Sequence, residues 1–177
     1  MEANGMDVTL NPSEKSNAVV RGGKFLTFFL SEEEYGIEIL KVHEIIGRQP
    51  ITRVPHTRKY LKGVINLRGK VIPIVDARLK FGMPAVEGTN ETCIIVVHLH
   101  GVEVGIVVDR VSEVIDIPDG ETEPAPAFGT GCNTDYILGI GKAQGRVLIL
   151  LDIDRVLLAN ELTHFEEMAA GAEKRSA

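Results

Sequence analysis

The sequence predicts a mainly β protein made of two small barrels and a few short helices. Apolar residues make up 44% of the 177-residue chain, which contains no Trp. Most of these residues are Val, Ile and Leu, and the β-branched side chains among them favour strands over helices. Short apolar runs are separated by turn residues, and the second half of the chain repeats the first. The length fits one domain or two small subdomains that share a core.

The two ends of the chain differ in composition from its centre. Residues 1–23 are rich in Asn, Ser, Gly and Glu without any period, which predicts a disordered N-terminal tail. They lack the apolar stretch of a secretory signal, and no apolar run approaches the roughly 20 residues of a membrane-spanning helix. Residues 161–177 are predicted as a C-terminal helix and tail, because capping-box spacing at residues 163–166 accompanies an apolar helix face made by Leu158, Leu162, Phe165 and Met168.

Strands account for most of the region between these ends. They are predicted at residues 25–30, 35–39, 71–75, 94–99, 104–108 and 147–151. The first two flank an acidic turn and form a hairpin, and His100 with Gly101 forms a further turn. Pro73 predicts an edge strand or a bulge, because proline has no N–H to donate to a neighbouring strand. Residues 57–62, followed by Gly63, predict one short helix with a glycine cap.

An internal duplication sets the order of these strands. The aligned pairs are residues 60–76 with 136–152, Gly36 with Gly105, and residues 41–46 with 110–115. Gly, Tyr and Asp positions match as well as aliphatic ones, including Tyr60 with Tyr136 and Asp76 with Asp152. A hairpin, a connector and a second hairpin therefore occur twice, at about residues 25–82 and 93–157. Closing the sheets into two barrels within a domain at residues 24–160 would protect their long apolar edges.

Charge is distributed unevenly along the chain. The net charge of -6 argues against a general nucleic-acid binder, yet residues 48–80 carry nine Lys or Arg side chains and one acid, Asp76. Solvated strand faces and a face that meets a charged protein are both compatible with this pattern. A barrel that binds nucleic acid is a third hypothesis, but the basic stretch offers only Tyr60 and Phe81 for base stacking.

The residues that catalysis or metal binding requires do not converge in the sequence. Cys93 and Cys132 form no CxxC motif, which is unfavourable for a metal site or a disulfide and fits a reducing cytoplasm. The GIGK run at residues 139–142 lacks phosphate-loop spacing. Asp152 and Asp154 lack a third metal ligand, and the match of Asp152 with Asp76 favours a structural role at a strand end. We therefore predict no metal, no cofactor and no enzymatic activity; converging carboxylates in a pocket would favour an enzyme instead.

Four runs together carry a family resemblance. They are residues 34–42 (EYGIEILKV), 62–76 (KGVINLRGKVIPIVD), 104–111 (VGIVVDRV) and 136–142 (YILGIGK). The chain resembles the CheW family of bacterial chemotaxis coupling proteins over about residues 24–160. This resemblance implies two intertwined five-stranded SH3-like barrels and no catalytic activity.

The same resemblance implies an adaptor function in signal transduction. CheW-like proteins couple chemoreceptors, the methyl-accepting chemotaxis proteins, to the histidine kinase CheA of a two-component system. The implied partners are the cytoplasmic receptor tip and the regulatory domain of CheA, in a cytoplasmic array associated with membrane-bound receptors. Neither nucleic-acid binding nor direct membrane insertion is expected.

The resemblance also assigns a kinase- or receptor-binding surface, without dividing it between the two partners. Its residues are Val42, Glu44, Ile45, Gly47, Gly63, Arg68, Cys93, Gly105 and Val114. The aliphatic side chains can alternatively fill the core, Gly63 can cap a helix, and Gly105 can allow a tight strand crossing. Arg68 lies at a turn from which its guanidinium can reach Glu44, so we predict an ion pair between them.

Two positions depart from the family pattern. A loop that contributes to ring contacts in the family includes Glu123 and Phe128 here, and Glu123 replaces a basic residue of some members. Cys93 stands where Val is common. The ring contact is therefore expected to be paired differently in this chain.

Overall fold

The computed structural model describes residues 21–55, 58–125 and 136–157, so most of the predicted N-terminal tail, the C-terminal helix and Phe128 lie outside it. The elements in chain order are β1 (Gly23–Leu30), β2 (Glu33–Glu38), β3 (Val42–Gly47), β4 (Leu61–Leu67), β5 (Lys70–Asp76), α1 (Ala77–Lys80), β6 (Cys93–Leu99), β7 (Val102–Val108), β8 (Arg110–Ile117), β9 (Thr122–Glu123), β10 (Ile137–Ala143), β11 (Arg146–Leu151) and α2 (Ile153–Val156). No helix within these ranges has the length and apolarity that crossing a bilayer requires.

The strands form two mixed sheets that exchange elements between the sequence repeats. One sheet has the order β8-β1-β2-β11-β10-β9, and the other has the order β3-β6-β7-β5-β4. A single parallel ladder joins the hairpins in each sheet: β2 with β11, and β5 with β7. Each sheet therefore combines the first hairpin of one repeat with the connector and second hairpin of the other. The predicted mainly β, intertwined architecture is confirmed, and it is consistent with SH3-like barrels.

The duplicated segments adopt matching local structures. A bulge interrupts the β4–β5 ladder at Gly63 and the β10–β11 ladder at Gly139. The N–H of Asp76 donates to the Tyr60 carbonyl at 2.7 Å, and the N–H of Asp152 donates to the Tyr136 carbonyl at 2.8 Å. The two copies of the repeat thus match in sequence and in local structure, but each sheet contains strands from both copies. The division of the chain into tail, domain and C-terminal segment stays a prediction.

Three apolar clusters form the core, and one of them joins the two sheets. One belongs to the six-stranded sheet and contains Phe25, Ile115, Ile117, Leu148 and Leu150. A second belongs to the five-stranded sheet and contains Ile65, Ile72, Ile74, Ile94 and Val96. The largest cluster takes side chains from both sheets, among them Leu26, Ile37, Ile95 and Leu151. Neighbouring residues of a central strand such as β6 thus enter different clusters, which is why its sequence is almost continuously apolar.

One local prediction is wrong, and one of two alternatives for another is excluded. Leu61 and Lys62 belong to β4, so the described part of residues 57–62 forms no helix that Gly63 could cap. Pairing with β5 outweighs the local helix signal. Pro73 lies in β5, which has neighbours on both sides, so the edge-strand alternative is excluded. The other alternative, a bulge, agrees with the register shift in the β4–β5 ladder, which lies next to the pair Val64 and Pro73. The ladder to β7 begins at Ile74, so the missing N–H of Pro73 falls just outside it.

Candidate functional site

Four of the predicted site residues lie on β3, an edge strand of the five-stranded sheet. Burial alternates along this strand: Val42 and Glu44 are half-buried, whereas Ile45 and Gly47 are exposed. Ile45 keeps 44% of its surface exposed, which is unusual for so large an aliphatic residue in this molecule. Gly47 pairs with Cys93 at the start of β6. We call Val42, Glu44, Ile45, Gly47, Cys93 and Arg68 together the β3 surface.

Arg68 joins this surface from the turn between β4 and β5. Its two terminal guanidinium nitrogens donate to the two carboxylate oxygens of Glu44, at 2.8 and 2.5 Å. Positive φ angles at Arg68 and Gly69 form the turn, and the N–H of Gly69 donates to the Asn66 Oδ1 at 2.8 Å. The predicted ion pair between Arg68 and Glu44 is therefore present. Because β3 and β4 are opposite edges of one sheet, this ion pair links the two edges.

An equivalent surface lies on β8, an edge strand of the other sheet. The duplication aligns Glu113 with Glu44 and Val114 with Ile45. Val114 is 51% exposed, and the Arg146 Nη2 lies 3.0 Å from the Glu113 Oε1. We call Glu113, Val114 and Arg146 the β8 surface.

The resemblance selected only Val114 from the β8 surface. Glu113 was missed as a site residue, although its alignment with Glu44 was a signal that could have identified it. Arg146 was missed because the duplication aligns it with Lys70 and not with Arg68. Arg146 also lies 3.5 Å from Glu34, whose side chain is nearly fully buried.

Two predicted site glycines lie in the interior, away from both surfaces. A Cβ at Gly63, whose φ is +143°, would lie 2.1 Å from the carbonyl oxygen of Thr52. A Cβ at Gly105 would lie 2.5 Å from the Ile74 Cδ1. Both positions therefore accommodate close packing of neighbouring segments, and neither glycine is exposed for direct contact with a partner.

The predicted ring-contact residue Glu123 lies on β9 at the end of the six-stranded sheet. It is exposed and accepts a hydrogen bond from the Lys142 Nζ of β10. This hydrogen bond raises the pKa of Lys142. Glu123 is therefore paired within the chain, and its role in a ring contact stays a prediction.

Cys93 is a half-buried free thiol, and burial raises its pKa above the ordinary value. A raised pKa lowers the thiolate fraction, so the site chemistry does not favour a nucleophilic role. Within residues 21–55, 58–125 and 136–157, no three His, Cys, Asp or Glu side chains are grouped in a way that could hold a metal ion.

The two repeated aspartates have structural partners. Asp76 accepts a hydrogen bond from the N–H of Leu79, and Asp152 accepts one from the N–H of Asp154. Both carboxylates therefore cap the short helix that follows their strand, as predicted for strand-end positions. Asp154 instead pairs with Lys41 at 2.8 Å.

Comparison with known proteins places this geometry in a family context. The family model described as a CheW-like domain matches residues 24–161. A chemotaxis protein CheW of Klebsiella aerogenes is 43% identical over 148 residues, covering 84% of this chain and 89% of the relative. Its counterpart in Bacillus subtilis is 39% identical over 137 residues, covering 77% and 87%.

A solved structure agrees with these sequence matches. The crystal structure of a CheW scaffolding protein from Thermoanaerobacter tengcongensis has a TM-score of 0.72 and 35% sequence identity, covering 79% of this chain and 95% of that one. The β3 and β8 surfaces lie within residues 24–161, which the family model matches. The chain belongs to the CheW-like domain family of chemotaxis scaffold proteins.

Proposed function

We propose that this protein is an adaptor that couples the cytoplasmic tips of chemoreceptors to the regulatory domain of the histidine kinase CheA. Membership of a family whose relatives are named as chemotaxis and scaffolding proteins supports this function. Its place of action is the cytoplasm, within arrays of membrane-bound receptors. The proposal requires binding alone and no catalytic step.

The observation that carries the proposal is the equivalence of the β3 and β8 surfaces. Each has an exposed aliphatic residue on an edge strand, Ile45 in one and Val114 in the other. Each also has a glutamate beside that residue, paired with an arginine from a hairpin of the same sheet. Apolar centres with polar rims are typical of protein interfaces. Because the surfaces lie on different sheets, we assign one to the receptor and the other to the kinase.

Two single substitutions test this division. We expect Ile45→Asp to abolish capture of one partner and Val114→Asp to abolish capture of the other, since each places a charge at an apolar contact. Both side chains are exposed, so thermal melts should resemble that of the wild type. The measurement is a pull-down with a receptor signalling fragment and, separately, with the kinase regulatory domain.

Val86→Asp is the matched control because Val86 is a similarly exposed aliphatic residue, 53% exposed, on neither edge strand. It should retain both partners. If the Ile45 and Val114 variants both still capture both partners, the β3 and β8 surfaces are not binding sites. If each variant loses both partners, the assignment of one surface to the receptor and the other to the kinase is wrong.

The alternative hypotheses receive less support from the side chains. A shallow groove lined by Arg53, Arg58, Lys59 and Lys62 contains no aromatic residue among its described lining, so it offers no platform for base stacking. Asp76 and Asp109 line another cavity, but the first caps α1 and the second is hydrogen-bonded by Arg78. Neither carboxylate is disposed as a general acid or base.

A further inference from the structure

A cavity of about 190 Å³ lies beside the β3 surface. Two of its lining residues are next to that surface in the chain: Arg48 directly follows Gly47, and Thr92 directly precedes Cys93. Ile51, Val86, Ile94 and Val107 form its apolar wall. Pockets for drug-sized ligands are usually about 300–1,000 Å³, so this cavity has room for a much smaller molecule.

The charges that line the cavity leave an excess of cations. Arg78 donates two hydrogen bonds to Asp109, at 2.8 and 2.6 Å, and the two charges neutralise each other. Asp76 accepts the N–H of Leu79 and lies 3.7 Å from the Lys62 Nζ. Arg48 has no carboxylate partner among the residues that the structure describes.

Arg48 is held against the loop that closes this side of the cavity. A Cβ at Gly88 would lie 2.9 Å from the guanidinium carbon of Arg48, so the absence of a side chain at Gly88 makes room for the guanidinium. Thr92 lies nearby, and its hydroxyl oxygen accepts the N–H of Thr89 at 2.8 Å. That hydrogen bond uses the oxygen as acceptor and leaves the hydroxyl hydrogen able to donate.

We propose that this cavity binds a small anion bearing a carboxylate or phosphate group, with Arg48 as its main ligand. The planar guanidinium donates two parallel hydrogen bonds to either oxyanion. The Thr92 hydroxyl contributes a neutral donor, and Lys62, which lies 3.7 Å from Asp76, offsets the charge of that carboxylate. The apolar wall offers contact to the non-polar part of such an anion. This proposal does not rest on the coupling function, because it concerns a cavity and not the exposed strand surfaces.

The test is an NMR titration of the isotopically labelled full chain with inorganic phosphate and, separately, with succinate. Sodium chloride holds the ionic strength constant, so that general screening does not change. We expect saturable amide shifts centred on residues 47–51 and 88–93. The anion that saturates at the lower concentration identifies which oxyanion the cavity prefers.

Three variants establish whether Arg48 is the ligand. Arg48→Ala should weaken binding at least about tenfold, since it removes a charge-assisted pair of hydrogen bonds. Arg48→Lys should give intermediate binding, because it retains the charge and loses the fork of donors. Arg53→Ala is the control: Arg53 is another exposed cation of the basic stretch, outside this cavity, and its loss should leave binding unchanged.

Several results would overturn the proposal. One is that the amide shifts do not saturate with either anion. Another is that Arg48→Ala and Arg53→Ala weaken anion binding equally, which would indicate an effect of diffuse surface charge. A third is saturation of the same amides by a hexaglutamate peptide while both small anions fail, which would make the cavity a protein-docking surface. Backbone spectra of the variants show whether each has retained the native fold.

Discussion

Arg68 has a fixed backbone and a largely solvated side chain. The turn sets its φ at 54°, and the side chain remains 65% exposed while it pairs with Glu44. An exposed ion pair contributes only about 0–1 kcal/mol to the free energy of unfolding. We therefore predict that Arg68 serves partner binding at the β3 surface more than it serves stability.

We expect Arg68→Glu to weaken capture of the receptor fragment or the kinase domain while leaving the thermal melt near that of the wild type. The reversal places two glutamates side by side and changes the sign of the charge that an acidic partner meets. Pull-downs and melts of the same preparation provide the measurement. Ile74→Asp is the contrasting variant: Ile74 is 0% exposed, so burying a carboxylate there should unfold the protein. Wild-type capture by Arg68→Glu would exclude Arg68 from the site.

Gly63 shows how a position in a family motif can serve the fold. We expect Gly63→Ala to lower the free energy of unfolding by about 1–3 kcal/mol, because the new methyl group meets the Thr52 backbone and the φ is unfavourable for alanine. Urea denaturation measures the change. Gly47→Ala is the matched control: a Cβ there meets nothing within 4 Å, and the change should stay within about 0.5 kcal/mol. Equal stability of the two variants would contradict this assignment.

At the scale of elements, one carboxylate connects three parts of the chain. Asp109 lies between β7 and β8, accepts two hydrogen bonds from Arg78 of α1, and accepts the N–H of Ser31 at 2.7 Å. The hydrogen bond from Arg78, together with the Ser31 N–H, holds the pKa of Asp109 below its ordinary value. The short helix α1 is thereby attached to the β1–β2 hairpin.

This attachment predicts a specific acid sensitivity. Because the pKa of Asp109 is lower in the folded than in the unfolded chain, its contribution is complete above the ordinary aspartate value of 3.8 and is lost as the pH falls through the lower folded value. We therefore expect Asp109→Asn to be less stable than the wild type near neutral pH and to lose less stability on acidification. Urea midpoints across about pH 2–6 measure this. Asp116→Asn, at an exposed position, should retain the wild-type slope, and identical slopes for all three proteins would contradict the prediction.

The strands and the first hairpin were largely predictable from residue patterns, whereas the pairing between hairpins followed only from the family resemblance. Continuous apolar runs such as residues 94–99 indicated buried strands, and the repeat located their equivalents. The segment before Gly63 was misassigned because turn and helix signals look alike over a few residues, and only pairing with β5 decides between them. Arg146 escaped prediction as a site residue for the same reason: its approach to Glu113 depends on how the second hairpin meets β8.

At the scale of the whole molecule, the two sheets depend on each other for completion. Each contains strands of both repeats, and the largest apolar cluster takes side chains from both sheets. Breaking one sheet therefore removes partners from the other. This arrangement favours folding as a single cooperative unit over folding as two independent domains.

We expect urea unfolding to show one transition, coincident by circular dichroism and by tyrosine fluorescence. A cut after residue 90, in the exposed loop before β6, should yield fragments that are unfolded alone. Their equimolar mixture should regain the β-sheet spectrum, because each supplies the strands that the other lacks. Two separated transitions, or a cooperative melt of either isolated fragment, would contradict this interdependence.

The exchange of hairpins also has an evolutionary consequence. A single copy of the repeat cannot complete either sheet. Two identical copies would complete both sheets by exchanging their first hairpins, as in a domain-swapped homodimer with two-fold symmetry. The present chain has the connectivity of such a dimer after gene fusion. Fusion releases the copies from having to be identical, and the turn that carries Arg68 in one copy carries Gln144 in the other. A symmetric ancestor would have offered the same face twice, whereas the fused chain can offer two faces that differ.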